Sequence, residues 1–200
     1  MSIDNRNEVS INKSIKIRPW GKGQMREFME AHKQDQYWVP MDQHKWSSEP
    51  LGTLAASVCW VPVLVNSVAK EAGLGHFTYT LVPSNAMEER KLNSHFYRFY
   101  EEAKTRVSQS LGWEMYLLGG GPLDEYDEKE LEQEEQTKER ILSLFKELNI
   151  PSEAITIPQP LPDQGKNIID VIIDPKAGEI GYSCEILQSN KAHVLTEKVL

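Results

Sequence analysis

The sequence has only two cysteines, Cys59 and Cys184, in 200 residues. So few exclude a disulfide framework of the secreted kind, and a chain this long needs neither a disulfide nor a metal to hold a core. Basic residues are also in deficit. Against 30 Asp and Glu there are 22 Lys and Arg, a formal net charge of −8, which argues against nucleic acid or an anionic membrane surface as a partner. No apolar run is long enough to cross a bilayer, and the N-terminus carries no basic, apolar, small-residue signal. These absences predict a cytoplasmic protein with reduced thiols and no membrane insertion. What is present is ordinary: 40% hydrophobic and 26% charged residues fit one soluble globular domain with appendages.

Residues 1–12 are polar and expected to fray. Up to Glu49 the chain mixes charge with Trp20, Trp38 and Trp46, and "GQMREFMEAHKQ" reads as a short amphipathic helix. His32 and His44 lack partners at ligand spacing and read as surface histidines. "LGTLAASVCWVPVLV" reads as one strand buried on both faces, with Pro62 marking an edge or a bulge. "GHFTYTLVP" reads as a strand ending at Pro83. The clearest helix starts at the capping residues Ser84 and Asn85, carries Leu92, Phe96, Phe99, Ala103 and Val107 as a stripe, and stops at Gly112. "WEMYLLGGG" is a strand running into a glycine turn. The acidic block "PLDEYDEKELEQEEQ" reads as a solvated loop or helix start. It leads into an amphipathic helix with Ile141, Leu144, Phe145 and Leu148 inward. Three strands follow, the last two joined at "DPKAG". Mixing of this kind without regular β-α-β alternation predicts an α+β fold, a β-sandwich core flanked by helices, with an N-terminal extension.

Both cysteines sit in strand-like apolar segments, so packing alone predicts two separately buried thiols. Cys59 gains interest from its surroundings. A thiol nucleophile needs a base, a group that orients the base, and backbone N–H donors for the oxyanion. Thr53 lies six residues before Cys59 and His76 seventeen after it. If the strands carrying them pair or pack, Cys59 and His76 come within hydrogen-bond reach, and the Thr53 hydroxyl can fix the imidazole tautomer. His95 also lies downstream, on the long helix beside Phe96, where surface or core packing is the better reading. On physical grounds alone the Cys59 group is one candidate among several.

The spacing resembles that of the CheD chemoreceptor glutamine deamidases, whose motif reads roughly T-L-G-L-G-S-C with a histidine seventeen residues beyond the cysteine. Here the first element stands as "TLAASVC", Thr53 to Cys59, and the second as "GLGHFTYTLVP", Gly73 to Pro83. Echoes continue in order at "YLLGGGP", at "TKERILSLFKELNIP" and at "IIDPKAGEI", so the likeness spans about residues 50 to 182. The chain departs from the pattern at Ser57-Val58, where the family has Gly-Ser, and at Ala55, where it has glycine. The paired glycines usual before the final strands are replaced by "PQPLPDQG". These changes bear on substrate docking more than on the triad.

The resemblance implies a CheD-like sandwich over residues 50–187, an extension at 1–49 packed on it, and a tail at 188–200. It implies a cysteine-dependent hydrolase converting glutamine side chains of another protein to glutamate and ammonia, with Cys59 as nucleophile, His76 as general base and acid, and Thr53 orienting His76. No metal or organic cofactor is required, since the thiolate supplies the nucleophile. A chemoreceptor cytoplasmic domain is the implied protein substrate and the phosphatase CheC the implied regulatory partner. Rival readings are a CheD-like protein-binding module without turnover, a diverged deamidase with another target, and a structural protein with inert thiols. A two-histidine phosphoesterase is suggested only faintly, because Thr196 follows His193 at the wrong spacing.

Overall fold

The apolar runs of the chain form two sheets, and the layering follows from which faces of each strand are apolar. The structure is a computed structural model that describes residues 15–56, 59–78, 94–120, 128–155 and 166–187. In chain order the elements are β1 (Lys16–Pro19), α1 (Lys22–Ala31), a 3-10 turn (Asp35–Tyr37), β2 (Gln43–Ser47), β3 (Leu51–Ala56), β4 (Trp60–Asn66), β5 (Glu71–His76), α2 (Ser94–Gln109), β6 (Trp113–Gly119), α3 (Glu128–Lys146), β7 (Ser152–Ala154), β8 (Lys166–Asp174) and β9 (Glu179–Leu187). One sheet has the order β1-β9-β8-β3 and the other β2-β5-β4-β6-β7. The fold is α+β and sandwich-like.

Leu51, Ile169, Val171, Ile173 and Ile180 from the first sheet meet Val61, Val63, Val65, Leu74 and Leu118 from the second in one buried cluster. Alternation along each strand puts the next residues on the opposite face. Leu64, Met115 and Leu117 therefore face away from the first sheet, where Phe96, Phe99 and Ala103 of α2 and Ile141 and Phe145 of α3 cover them. On the outer side of the first sheet, Gly52, Ile172 and Gly181 form one row across β3, β8 and β9. The Trp38 and Trp20 rings lie where side chains on the two glycines would stand, and Phe28 of α1 packs edge-on to both tryptophans. Residues ahead of Leu51 thus supply an edge strand to each sheet, β1 beside β9 and β2 beside β5.

Several expectations change. "LGTLAASVCWVPVLV" is two strands in different sheets. The β3–β8 register shifts between Thr53 and Ala56, and Ala55 takes φ 58°, so the chain leaves the first sheet just before Cys59 and enters the second at Trp60. An apolar run cannot reveal this break, because both halves are buried. Pro62 lies in the interior strand β4, not at an edge. Trp60 exchanges both backbone bonds with Phe77, and the β4–β5 ladder resumes at Val63. The gap between them falls at Pro62, which has no N–H to give.

His44 is packed rather than on the surface: its ring lies against Phe99 and Nε2 is 3.2 Å from Glu102. Cys184 is exposed, not buried, and both cysteines are free. The "DPKAG" turn is present, with the Asp174 carboxylate accepting from the Lys176 and Ala177 amides. The helix start at Ser84 and the strand end at Pro83 lie outside the described residues. No helix among the described residues is long and apolar enough to cross a membrane.

Candidate active site

Thr53 and His76 are contributed by different sheets, and both point into the layer between them. Thr53 is 1% exposed and His76 4%. Burying two such polar groups requires partners, and each is the other's: Thr53 Oγ1 lies 2.6 Å from His76 Nδ1. The hydroxyl also donates to the Val39 carbonyl at 2.8 Å. A hydroxyl has one proton, and a carbonyl can only accept. The proton therefore goes to Val39, and the Thr53 oxygen accepts from Nδ1–H. This fixes the imidazole tautomer and leaves the lone pair on Nε2. That atom is buried and has no hydrogen-bond partner among the described residues. Burial also pushes the His76 pKa below its ordinary value, with the nearby Asp42 charge opposing. The ring is held neutral and basic at Nε2.

Cys59 shares the face of His76. With Trp60 opposite Phe77, the register places Val61 opposite His76 and Cys59 one step further along the strand. Trp60 and Phe77 pack toward the helices, so Cys59 and Val61 turn to the inter-sheet cluster. Diagonal neighbours of this kind have Cβ atoms about 7–8 Å apart or somewhat less, a gap that a thiol and an imidazole can span between them. Cys59 is 4% exposed.

The Cys59 backbone is clamped by the end of β6. Gly120 N–H donates to the Cys59 carbonyl at 2.8 Å. Gly119 and Gly120 take φ 81° and 73°, a conformation glycine adopts without penalty. A Cβ on Gly119 would stand 2.2 Å from the Cys59 oxygen, and one on Gly120 would enter the Trp60 ring. On the other side the Ala55 amide donates to Asp170 Oδ1 at 2.9 Å, and Ser183 holds the second oxygen of the same carboxylate. Ala55, which stands where the resembled motif has glycine, is held in the left-handed region at a cost of about 1–2 kcal/mol.

Of the three residues singled out by spacing, then, Thr53 and His76 are hydrogen-bonded and Cys59 shares the imidazole's face. Ser57 and Val58 lie outside the described residues. So does His193, and His95 is exposed. Sequence reasoning missed the Val39 carbonyl, Asp42, Asp170 and the clamp role of Gly119–Gly120. A main-chain acceptor and a carboxylate brought in from a distant strand leave no local signal. The consecutive glycines did leave one, as a turn. Among the described residues no three His, Cys, Asp or Glu side chains are grouped so as to hold a metal ion. No protein-family model matches the chain, and no curated protein matches it significantly.

Proposed function

We propose that the chain is a cysteine-dependent protein glutamine deamidase of the CheD type, working in the cytoplasm on a chemoreceptor cytoplasmic domain. The observation that carries this reading is the Thr53–His76 hydrogen bond. It joins two sheets and leaves a buried nitrogen, Nε2, unpartnered among the described residues, on the face that Cys59 shares. In the reaction Nε2 takes the Cys59 proton and the thiolate attacks the carboxamide carbon of glutamine. Backbone N–H donors around Cys59 hold the oxyanion. His76 returns its proton to the departing ammonia, leaving a thioester, and then activates the water that hydrolyses it to glutamate. Thr53 keeps Nδ1 protonated throughout, so that Nε2 is always the atom that exchanges protons.

The test is incubation with receptor cytoplasmic domains, comparing wild type with Cys59→Ala. Ammonia release matched by an amide-to-acid mass gain on glutamine supports the reading, and equal release by the variant ends it. One observation favours a partner-binding module without turnover: Cys59 and His76 are each only 4% exposed. Alkylation with a thiol-reactive glutamine analogue separates the two, since only an accessible and activated Cys59 is labelled.

A further inference from the structure

Asp42 adopts φ 57°, in the left-handed region that Asp and Asn tolerate better than most residues. It sits in the turn ahead of β2 and ties down the chain at His76 and two residues beyond it. Its N–H donates to the His76 carbonyl at 2.6 Å. Its Oδ1 accepts from the Thr78 amide at 3.1 Å and from the Thr78 hydroxyl at 2.7 Å. Two donors on one oxygen hold the carboxylate in place. The turn thus fixes a negative charge beside a buried imidazole whose Nδ1 is already occupied by a neutral threonine.

We propose that Asp42 is a positioning residue whose charge supports protonation of His76, doing electrostatically what the neutral Thr53 cannot. The inference rests on the deamidase reading and deepens it. When the proton moves from Cys59 Sγ to His76 Nε2, a thiolate and an imidazolium form in a buried site. Desolvation disfavours the imidazolium and the Asp42 charge favours it, burial being the larger influence on His76. Ionisable groups among the described residues of the neighbouring strands have the following partners or roles. Asp170 of β8 bonds the Ala55 amide and Ser183, Tyr116 of β6 donates to Glu114, and Cys59 is the proton donor in the step.

The experiment uses the full chain and two variants. Asp42→Asn keeps an acceptor for Thr78 and the left-handed turn, and removes the charge. Asp42→Gly keeps the turn without either oxygen, and serves if the first variant folds poorly. The His76 imidazole is titrated by NMR, and the rate of Cys59 alkylation by iodoacetamide is followed against pH. In both variants His76 should titrate at lower pH than in wild type, and alkylation near neutral pH should slow by about 3- to 10-fold. Asp42→Glu should recover part of the difference. An unchanged His76 titration in both folded variants overturns the proposal, whatever the protein's turnover. A shifted titration in a chain that never releases ammonia keeps Asp42's role on His76 and rejects the deamidase reading instead.

Discussion

At one end of strands β4, β5 and β6, Asn66 is completely buried and every hydrogen-bonding group of its side chain is engaged. Nδ2 donates to Ser110 Oγ and the Leu111 carbonyl, and Oδ1 accepts from the Val68 and Ala69 amides. Beside it Arg106 pairs with Glu71 and lies over the Trp46 ring. At the other end of the same strands His76 is also buried, yet Nε2 has no partner among the described residues, the β4–β5 ladder is broken at Pro62, and Asp42 and Ala55 are in left-handed conformations, as Lys70 is at the Asn66 end. An unsatisfied buried donor or acceptor costs about 1–3 kcal/mol, and strained backbone adds to it. Trp46 Nε1, under Arg106 at the Asn66 end, is buried without a partner among the described residues as well, so the ends differ in what the orphaned atom can do: an indole N–H only donates, whereas Nε2 can take a proton. On the proposed deamidase reading, the Asn66 end is architecture and the His76 end carries the chemistry.

The strongest way to break this comparison is a crossed pair of substitutions. Cys59→Ala and His76→Ala should each lower kcat/KM for deamidation by on the order of 10³-fold or more while leaving the protein folded. Asn66→Ala should do the reverse, destabilising by about 2–3 kcal/mol with turnover per folded molecule unchanged. Ammonia release and urea unfolding measure the two arms. If Asn66→Ala depresses turnover as strongly as His76→Ala, the division between the ends is lost.

Thr53→Val tests the link between the sheets. It is close to isosteric and removes both the Val39 and His76 bonds. Turnover should fall by on the order of 10²-fold, less than for loss of the base itself, and Thr53→Ser should restore most of it. An active Thr53→Val beside an impaired Thr53→Ser would mean that the methyl packing, not the hydroxyl, is what matters.

How far this site was legible from residues alone follows from the kind of information each part carries. The spacing of Thr53, Cys59 and His76 is a chain property, and it selected two side chains that the fold brings to 2.6 Å. The mixed α+β architecture was legible for the same reason, because hydrophobic period and turn residues are local. The placement of Thr53 on a different sheet from His76 was not, since it depends on a register shift and on the φ of Ala55, which no apolar pattern encodes. Pro62 misled because proline is usually kept to edges. Here the ladder simply omits the bond, at a place where the strands are already ending. Asp42 was invisible for a further reason: its partners are a main-chain carbonyl and a threonine thirty-six residues away.

A smaller effect follows from pH. Burial lowers the His76 pKa from 6.5. Above that value the histidine is neutral in both folded and unfolded chains, and its contribution to stability is complete. As pH falls below it the unfolded chain binds the proton first, so stability is lost down to the folded pKa and then levels off. The loss should not exceed about 1.4 kcal/mol per pH unit and should be absent in His76→Gln. Urea unfolding at about pH 7.5 and about pH 5.5 gives the difference. A wild type and variant with the same acid-side slope would show that His76 is not held neutral by the fold.

The smallest effect sharpens the comparison most. Each end of the strands carries a left-handed non-glycine residue near a turn: Lys70, with φ 55° in the β4–β5 hairpin, and Ala55, with φ 58° ahead of Cys59. Glycine removes the Cβ conflict at either site but adds chain entropy to the unfolded state, so each change should stabilise by only about 0.5–1 kcal/mol. By stability alone the two substitutions are equivalent. They differ in what the strained residue adjoins. Lys70→Gly relaxes a hairpin that touches no reacting group and should leave turnover unchanged. Ala55→Gly relaxes the backbone four residues ahead of Cys59, while the Asp170 bond to its amide is retained. A fall in kcat of about two- to threefold is expected there, as when stability is gained at a strained site. Equal kcat in both variants would mean that the strain at Ala55 is only the cost of a chain crossing between sheets, and that Gly119, Gly120 and Asp170 suffice to hold the nucleophile.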